Sequence, residues 1–241
     1  MKKSVLSLII LLFITIPLYS EEVKKIRGGI AGFTMTAIYN DLSALNRTLK
    51  SAGYPALNDI SFGIGGGGGV IGNNIYLGGH GFGSFAQEVV NSSNRISYDQ
   101  RYGYFDCGYL LFNNQYFLVL PFVSIGAGEL LFRISPMNIT NLRFNNILSS
   151  PANSSYIRSG SAAFGANVLL GVKFGYCDIV LGLGYYYLPS DGLKVENIVL
   201  LDQPLVGSHS LNVSLTIYFG QFSPVEEENR SNDPINDAYN K

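Results

Sequence analysis

The chain has two histidines, His80 and His209, and two cysteines, Cys107 and Cys177, so imidazole or thiol chemistry must use one of these four residues. His209 stands between Ser208 and Ser210, residue types that suit an acyl-transfer site. Adjacent strand residues point to opposite faces, however, so neither hydroxyl is placed beside the imidazole as a nucleophile requires. The cysteines have no metal-ligand spacing and are too few for a disulfide scaffold. Gly63, Gly65 and Gly68 fit the dinucleotide pattern GxGxxG. That fingerprint needs a helix to receive the pyrophosphate, whereas residues 71–85 read as turn and strand. Six NxS/T sequons, beginning at Asn46, Asn91, Asn138, Asn153, Asn212 and Asn229, carry no weight in a chain rich in Asn and Ser. What remains is His80 with Asp106, and the charged residues Arg101 and Glu129, whose meaning depends on the elements that hold them.

Composition limits those elements. Net charge is −1, so there is no basic field for nucleic acid, and charged residues make up 14 % of the 241 positions, against roughly 25 % in soluble domains. Residues 1–20, MKKSVLSLIILLFITIPLYS, have two lysines, an apolar run, a helix-breaking Pro17 and a small Ser20. This is the pattern of a secretory signal, and the apolar run is shorter than the ~20 residues a spanning helix needs. The expected layout is a signal peptide over 1–20, one barrel domain over 21–222, and a disordered acidic periplasmic tail over 223–241.

The central stretch, SFGIGGGGGVIGNNIYLGGHGFGSF over residues 61–85, alternates apolar residues with glycine on both sides of Gly72, Asn73 and Asn74. It reads as a β-hairpin. Further strands are expected over 27–38, 96–112, 116–133, 160–175, 178–187 and 208–222, the last alternating most cleanly. Leu42, Leu45 and Leu49 form one helical stripe that Asp41 can cap, ending at Gly53 and Pro55. Connections alternate long and tight, which gathers three tight turns and both chain ends at one end of the sheet. Residues 60–87 and 203–225 contain no Asp, Glu, Lys or Arg, although a soluble sheet would want charge on its outer face. A soluble lipocalin-like barrel would have an apolar interior and a polar exterior, the reverse of this pattern. Pro121 and small residues break the one apolar stretch that could suggest a spanning helix, 116–132.

In signal segment, strand count, loop alternation and a final strand, LNVSLTIYFGQF, that ends in an aromatic residue, the chain over 27–222 resembles the small eight-stranded outer-membrane β-barrel proteins of diderm bacteria. The resemblance is one of architecture. It implies an all-β fold, an eight-stranded antiparallel up-and-down transmembrane β-barrel, in the outer membrane. The aromatic-ended strand is followed by a further tail, which departs from that pattern.

Opposed strand residues share a face, so tight turns assign a lumen. The reading sets Gly63, Gly65, Gly67 and Gly69 opposite Phe82, His80, Gly78 and Tyr76. It sets Tyr102, Tyr104 and Asp106 opposite Gly126, Ser124 and Phe122, and Lys173, Gly171, Leu169 and Asn167 opposite Val180, Gly182, Gly184 and Tyr186. Large rings facing absent side chains predict a filled lumen. His80 and Asp106 point inward on neighbouring strands and are expected to pair there for structure, since an unpaired carboxylate would be costly. Asn167, Lys173 and Asn212 are further polar lumen residues, and Arg101 with Glu129 is expected as a salt bridge at the outer rim. The functional expectation is a non-enzymatic, monomeric barrel without a cofactor, in contact with outer-membrane lipid. It would act in envelope structure or bind a surface ligand or host partner through loops 39–59, 135–159 and 188–207. The alternatives are a narrow transport pore and a lipid-modifying enzyme using His209.

Overall fold

A computed structural model describes residues 25–137, 154–189, 192–195, 198–201 and 209–224. Eight long strands form the barrel: β1 (Ile26–Asn40), β2 (Ile60–Gly72), β3 (Ile75–Ser84), β4 (Asn94–Tyr109), β5 (Phe117–Pro136), β6 (Ser155–Phe174), β7 (Cys177–Tyr187) and β8 (His209–Pro224). Each pairs antiparallel with its sequence neighbour, and β8 closes the barrel on β1. The predicted signal peptide and nearly all of the predicted tail lie outside the described residues. The last strand runs through Pro224, two residues beyond the expected end of the barrel, because Ile26 opposes Pro224.

The register fixes the geometry. From Gly28, opposed residues run through Ile71, Tyr76, Gly108, Phe122, Asn167, Gly184 and Asn212, and return to β1 at Ile38, ten positions on. That stagger requires tilted strands, and eight tilted strands leave an interior that side chains can fill.

Alternation then separates two environments. Phe33, Phe62, Leu77, Phe105, Ile125, Leu170, Leu183 and Leu215, one from each strand in turn, are all exposed. Outward charge begins at Arg101 and Glu129 toward one end and at Arg27 toward the other. A closed sheet with an uninterrupted apolar outer girdle is a membrane-spanning barrel.

The two ends differ. At the turn end, Asn73 and Asn74 take positive φ of 52° and 68°, the mirror-image turn that suits hairpin twist. The side chain of Asn74 accepts from the backbone N–H of Ile26 at 2.8 Å. Gly175 (φ 72°) and Tyr176 make the second tight turn. The third closes when the N–H of Asn114 donates to Phe117 O at 3.0 Å, after an irregular step in which Leu111 N–H donates to Val119 O.

These turns correct the predicted pairings. Gly63 opposes Ser84 and Gly65 opposes Phe82, Asp106 opposes Ser124, and Lys173 opposes Asp178. All three hairpins are offset by two residues from the expected register because the turns sit one position away from where they were expected. Since side chains repeat every two residues, each expected face is kept.

At the loop end β4, β5 and β6 run past the girdle, extending the strands into stretches that had been expected as loop. The connection from β3 to β4, expected as a long loop, is a tight hairpin in which Gln87–Val90 pairs along β4 and Asn91 N–H donates to Asn94 O at 2.9 Å. Lys194–Val195 pairs with Ile198–Val199 and touches β6 through Lys194 and Arg158. Helix α1 (Ser43–Ser51) lies in the β1–β2 connection. Its N-cap is Leu42, and the predicted cap Asp41 stands one residue earlier, accepting from Ser43 N–H at 3.0 Å. Hydrogen bonds from Ser43 hold the Asp41 carboxyl below the usual carboxylate range.

Candidate functional site

Three buried clusters stack along the lumen. Nearest the turn end are Ile30, Tyr76, Leu118, Phe122, Val180, Tyr218 and their neighbours. The middle cluster holds Ile38, Phe82, Tyr102, Tyr104, Tyr186 and Leu188. At the loop end, Leu42, Leu45 and Leu49 of the helical segment pack on Val89, Ile96, Tyr98, Leu130 and Phe132 of the extended sheet. Glycines make room for the rings: a Cβ on Gly67 would sit 2.6 Å from His80 Cβ, and one on Gly165 would sit 2.7 Å from the Tyr186 ring.

Between the first two clusters lies a polar array. β3 carries His80, β4 Asp106, β5 Ser124, β6 Asn167 and β7 Tyr186, five consecutive strands at one level. His80 Nδ1 lies 2.7 Å from Asp106 Oδ2, and Ser124 Oγ donates to Asp106 Oδ1 at 2.7 Å. Asn167 Nδ2 donates to Ser124 Oγ at 2.9 Å. His80 Nε2 lies 3.0 Å from the Tyr186 hydroxyl. Asp106 is 1 % exposed, and among the described residues no Lys or Arg is paired with it. A carboxylate can only accept, so Nδ1 carries a proton, and in the neutral imidazole Nε2 is left to accept from Tyr186. The His80 ring stacks on Tyr104 with centroids 4.9 Å apart.

Beside this array the β1 and β8 walls contribute small polar groups. Thr34 and Thr216 share a hydrogen bond of 2.9 Å, and Thr36 donates to Asn212 Oδ1 at 2.9 Å. A cavity of about 40 Å³ touches His80, Asp106, Asn212, Ser214, Thr216 and Tyr218, enough for a few water molecules at roughly 10–15 Å³ each.

The structure therefore brings His80, Asp106 and Asn167 into one network, and puts Asn212 across the same cavity. Lys173 is apart from them, near the turn end, where Nζ donates to Asn113 Oδ1 at 3.1 Å. The expected rim bridge between Arg101 and Glu129 is not formed. The two are directly opposed, but Arg101 Nε reaches along its own strand to Asp99 Oδ1 at 3.4 Å, and Glu129 Oε1 is 3.9 Å from Arg158 Nε on β6. The two-residue register shift moves Glu129 from the expected diagonal of Arg101 to directly opposite it, and long side chains that lean along strands reach diagonal neighbours instead.

His209 faces outward, where its Nδ1 shares a hydrogen bond with the Tyr185 hydroxyl and its ring lies 5.1 Å from that of Tyr187. Ser210 faces inward and donates to Asn40 Oδ1. Ser208 is outside the described residues. Both cysteines are free thiols. Sequence reasoning missed Tyr186 as a partner of His80, and also Gln100, fully buried, whose Oε1 accepts from Tyr102 at 2.7 Å and Asn40 at 3.0 Å. The alternation that marks them as inward was legible, but the meeting of β3 with β7 across the lumen was not.

The closed ladder and the apolar girdle define a small eight-stranded barrel of the outer-membrane type. Among solved structures the chain is similar to Ail, the attachment invasion locus protein of Yersinia pestis, at 12 % identity and a TM-score of 0.48, covering 83 % of this chain and 100 % of that one. It is similar to Neisserial surface protein A at 16 % identity and a TM-score of 0.40, covering 80 % and 96 %. It is similar to the outer membrane protein OprG from Pseudomonas aeruginosa at 12 % identity and a TM-score of 0.40, covering 84 % and 97 %. No family model and no curated protein matches the chain.

Proposed function

We propose that this is a non-enzymatic outer-membrane protein whose lumen is closed and whose loop end, facing outward from the cell, supports envelope structure or binds a surface ligand. In this reading residues 1–20 direct export, and the tight turns and the tail face the periplasm. The observation that supports it is the stack of three buried clusters along the lumen, with a cavity of about 40 Å³ at mid-height. The loop end supports the second half of the reading. There β4, β5 and β6 and the helix share a core of their own, and a packed core holds a recognition surface in one shape. On the outward side of that sheet Arg133 lies 5.1 Å over the ring of Tyr156, and Arg95 pairs with Glu88 at 3.7 Å. Against an acyl-transfer use of His209 stands the engagement of its Nδ1 by the Tyr185 hydroxyl.

Single-channel recording in a planar bilayer tests the closed lumen. The refolded chain should give no stepwise current, and stable steps would favour the narrow pore instead.

A further inference from the structure

Both histidines of the chain are hydrogen-bonded to tyrosines, and those tyrosines are consecutive. Tyr186 looks into the lumen at His80, and Tyr185 looks outward at His209. Six tyrosines are buried among the described residues: Tyr76, Tyr98, Tyr102, Tyr104, Tyr186 and Tyr218. They differ in what their hydroxyls meet. Tyr104, stacked on Tyr186 with centroids 4.8 Å apart, has a buried hydroxyl with no hydrogen-bond partner among the described residues. Tyr186 has an imidazole acceptor at 3.0 Å, backed by a carboxylate at 2.7 Å.

That difference decides which phenol can lose an electron. A phenol that is oxidised becomes a very strong acid, so inside a low-dielectric lumen oxidation needs a proton acceptor already in place. At Tyr104 there is none. At Tyr186 the proton has a short path to His80 Nε2. Charge favours the same step. With His80 neutral, no Lys or Arg is paired with the Asp106 carboxylate among the described residues, and proton transfer to the imidazole places a cation beside it.

We propose that Tyr186, His80 and Asp106 form a proton-coupled oxidation site that takes up oxidising equivalents from lipid peroxyl radicals, with the outward-facing Tyr185 as its membrane-side relay. The peroxyl radical gains one electron, passed from Tyr186 through Tyr185, and one proton from an interfacial water that is left as hydroxide, and becomes a lipid hydroperoxide. The phenolic proton of Tyr186 moves to His80 Nε2. The products are a neutral tyrosyl radical and an imidazolium held by Asp106, and both sides carry the same charge. The site requires neither a closed nor an open lumen.

The test uses the full chain refolded into phosphatidylcholine vesicles containing a lipophilic azo initiator, which supplies peroxyl radicals. Freeze-quenched electron paramagnetic resonance should detect a tyrosyl radical in the parent barrel. Tyr186→Phe should lower its yield severalfold, while Tyr104→Phe leaves it unchanged. Asp106→Asn should shorten its lifetime. The heat-dependent shift in gel mobility checks that each variant is folded. A second measurement needs no change at the site: in a His209→Gln barrel carrying isotope-labelled histidine, His80 is the one labelled imidazole, and the radical should show hyperfine coupling to it. Equal yields from the parent and Tyr186→Phe, equal losses in Tyr186→Phe and Tyr104→Phe, or no coupling to the labelled histidine would each overturn the proposal.

Discussion

Asp106 is the residue on which the interior depends most. It is 1 % exposed and both oxygens accept, from Ser124 and from His80. In Asp106→Asn an amide N–H would confront one of those donors, so a buried donor loses its acceptor, at a cost of about 2 kcal/mol. The chain has no tryptophan, so gel mobility after titration with urea is the suitable readout, and unchanged stability would mean that the pair contributes nothing to the fold. The rim charges differ in kind. Arg158 and Glu129 are 66 % and 37 % exposed and 3.9 Å apart. Glu129→Gln should therefore change stability by no more than about 1 kcal/mol in the same titration.

Among the elements, the β2–β3 hairpin makes the sharpest demand on sequence. A Cβ on Gly65 would sit 2.7 Å from the Cα and Cβ of Phe82, distances that backbone atoms cannot relieve by a rotamer change. Gly103 on β4, by contrast, has open space where its side chain would be. Gly65→Val should prevent refolding or sharply lower the temperature at which the barrel unfolds, whereas Gly103→Ala should stay within about 0.5 kcal/mol of the parent. If both variants behaved alike in a heat-modifiability assay, the inward assignment of the glycine row would be wrong. Helix α1 depends on burial more than on its own turn of hydrogen bonds, since a nine-residue helix is marginal alone. Its hold comes from Leu45 and Leu49 against the extended sheet.

For the whole molecule, the separation into stacked clusters means that one end can be disturbed without the other. Leu45→Asp combined with Leu49→Asp should loosen the loop-end core, and protease added to intact cells should then cut within residues 41–59. The same variant should still give no stepwise current, because the middle and turn-end clusters are untouched. In the parent, cleavage is expected in the connections after β5 and β7. The turns at Asn73, Asn114 and Gly175 should be spared, and cuts there would reverse the topology. Conductance in the double variant would mean that the helix alone closes the barrel.

The sequence by itself determined the strand number, the faces of every strand and the class of solvent on each face. Those properties follow from period-two alternation and from where charge is missing, and both are local. It also placed His80 and Asp106 inward on neighbouring strands, close enough in level to meet. The tertiary structure decided what depends on turn geometry and on distance across the lumen. A turn displaced by one residue shifts register by two, which preserves faces while changing every partner, so the expected pairings moved although no side chain changed sides. The extended loop-end sheet was hidden because its strands continue through polar, Ser- and Asn-rich segments that resemble loop until a neighbouring strand satisfies their backbone. Tyr186 meets His80 from four strands away, and no spacing along a chain encodes that meeting. It exists because eight strands with a stagger of ten close into a tube narrow enough for opposite walls to touch.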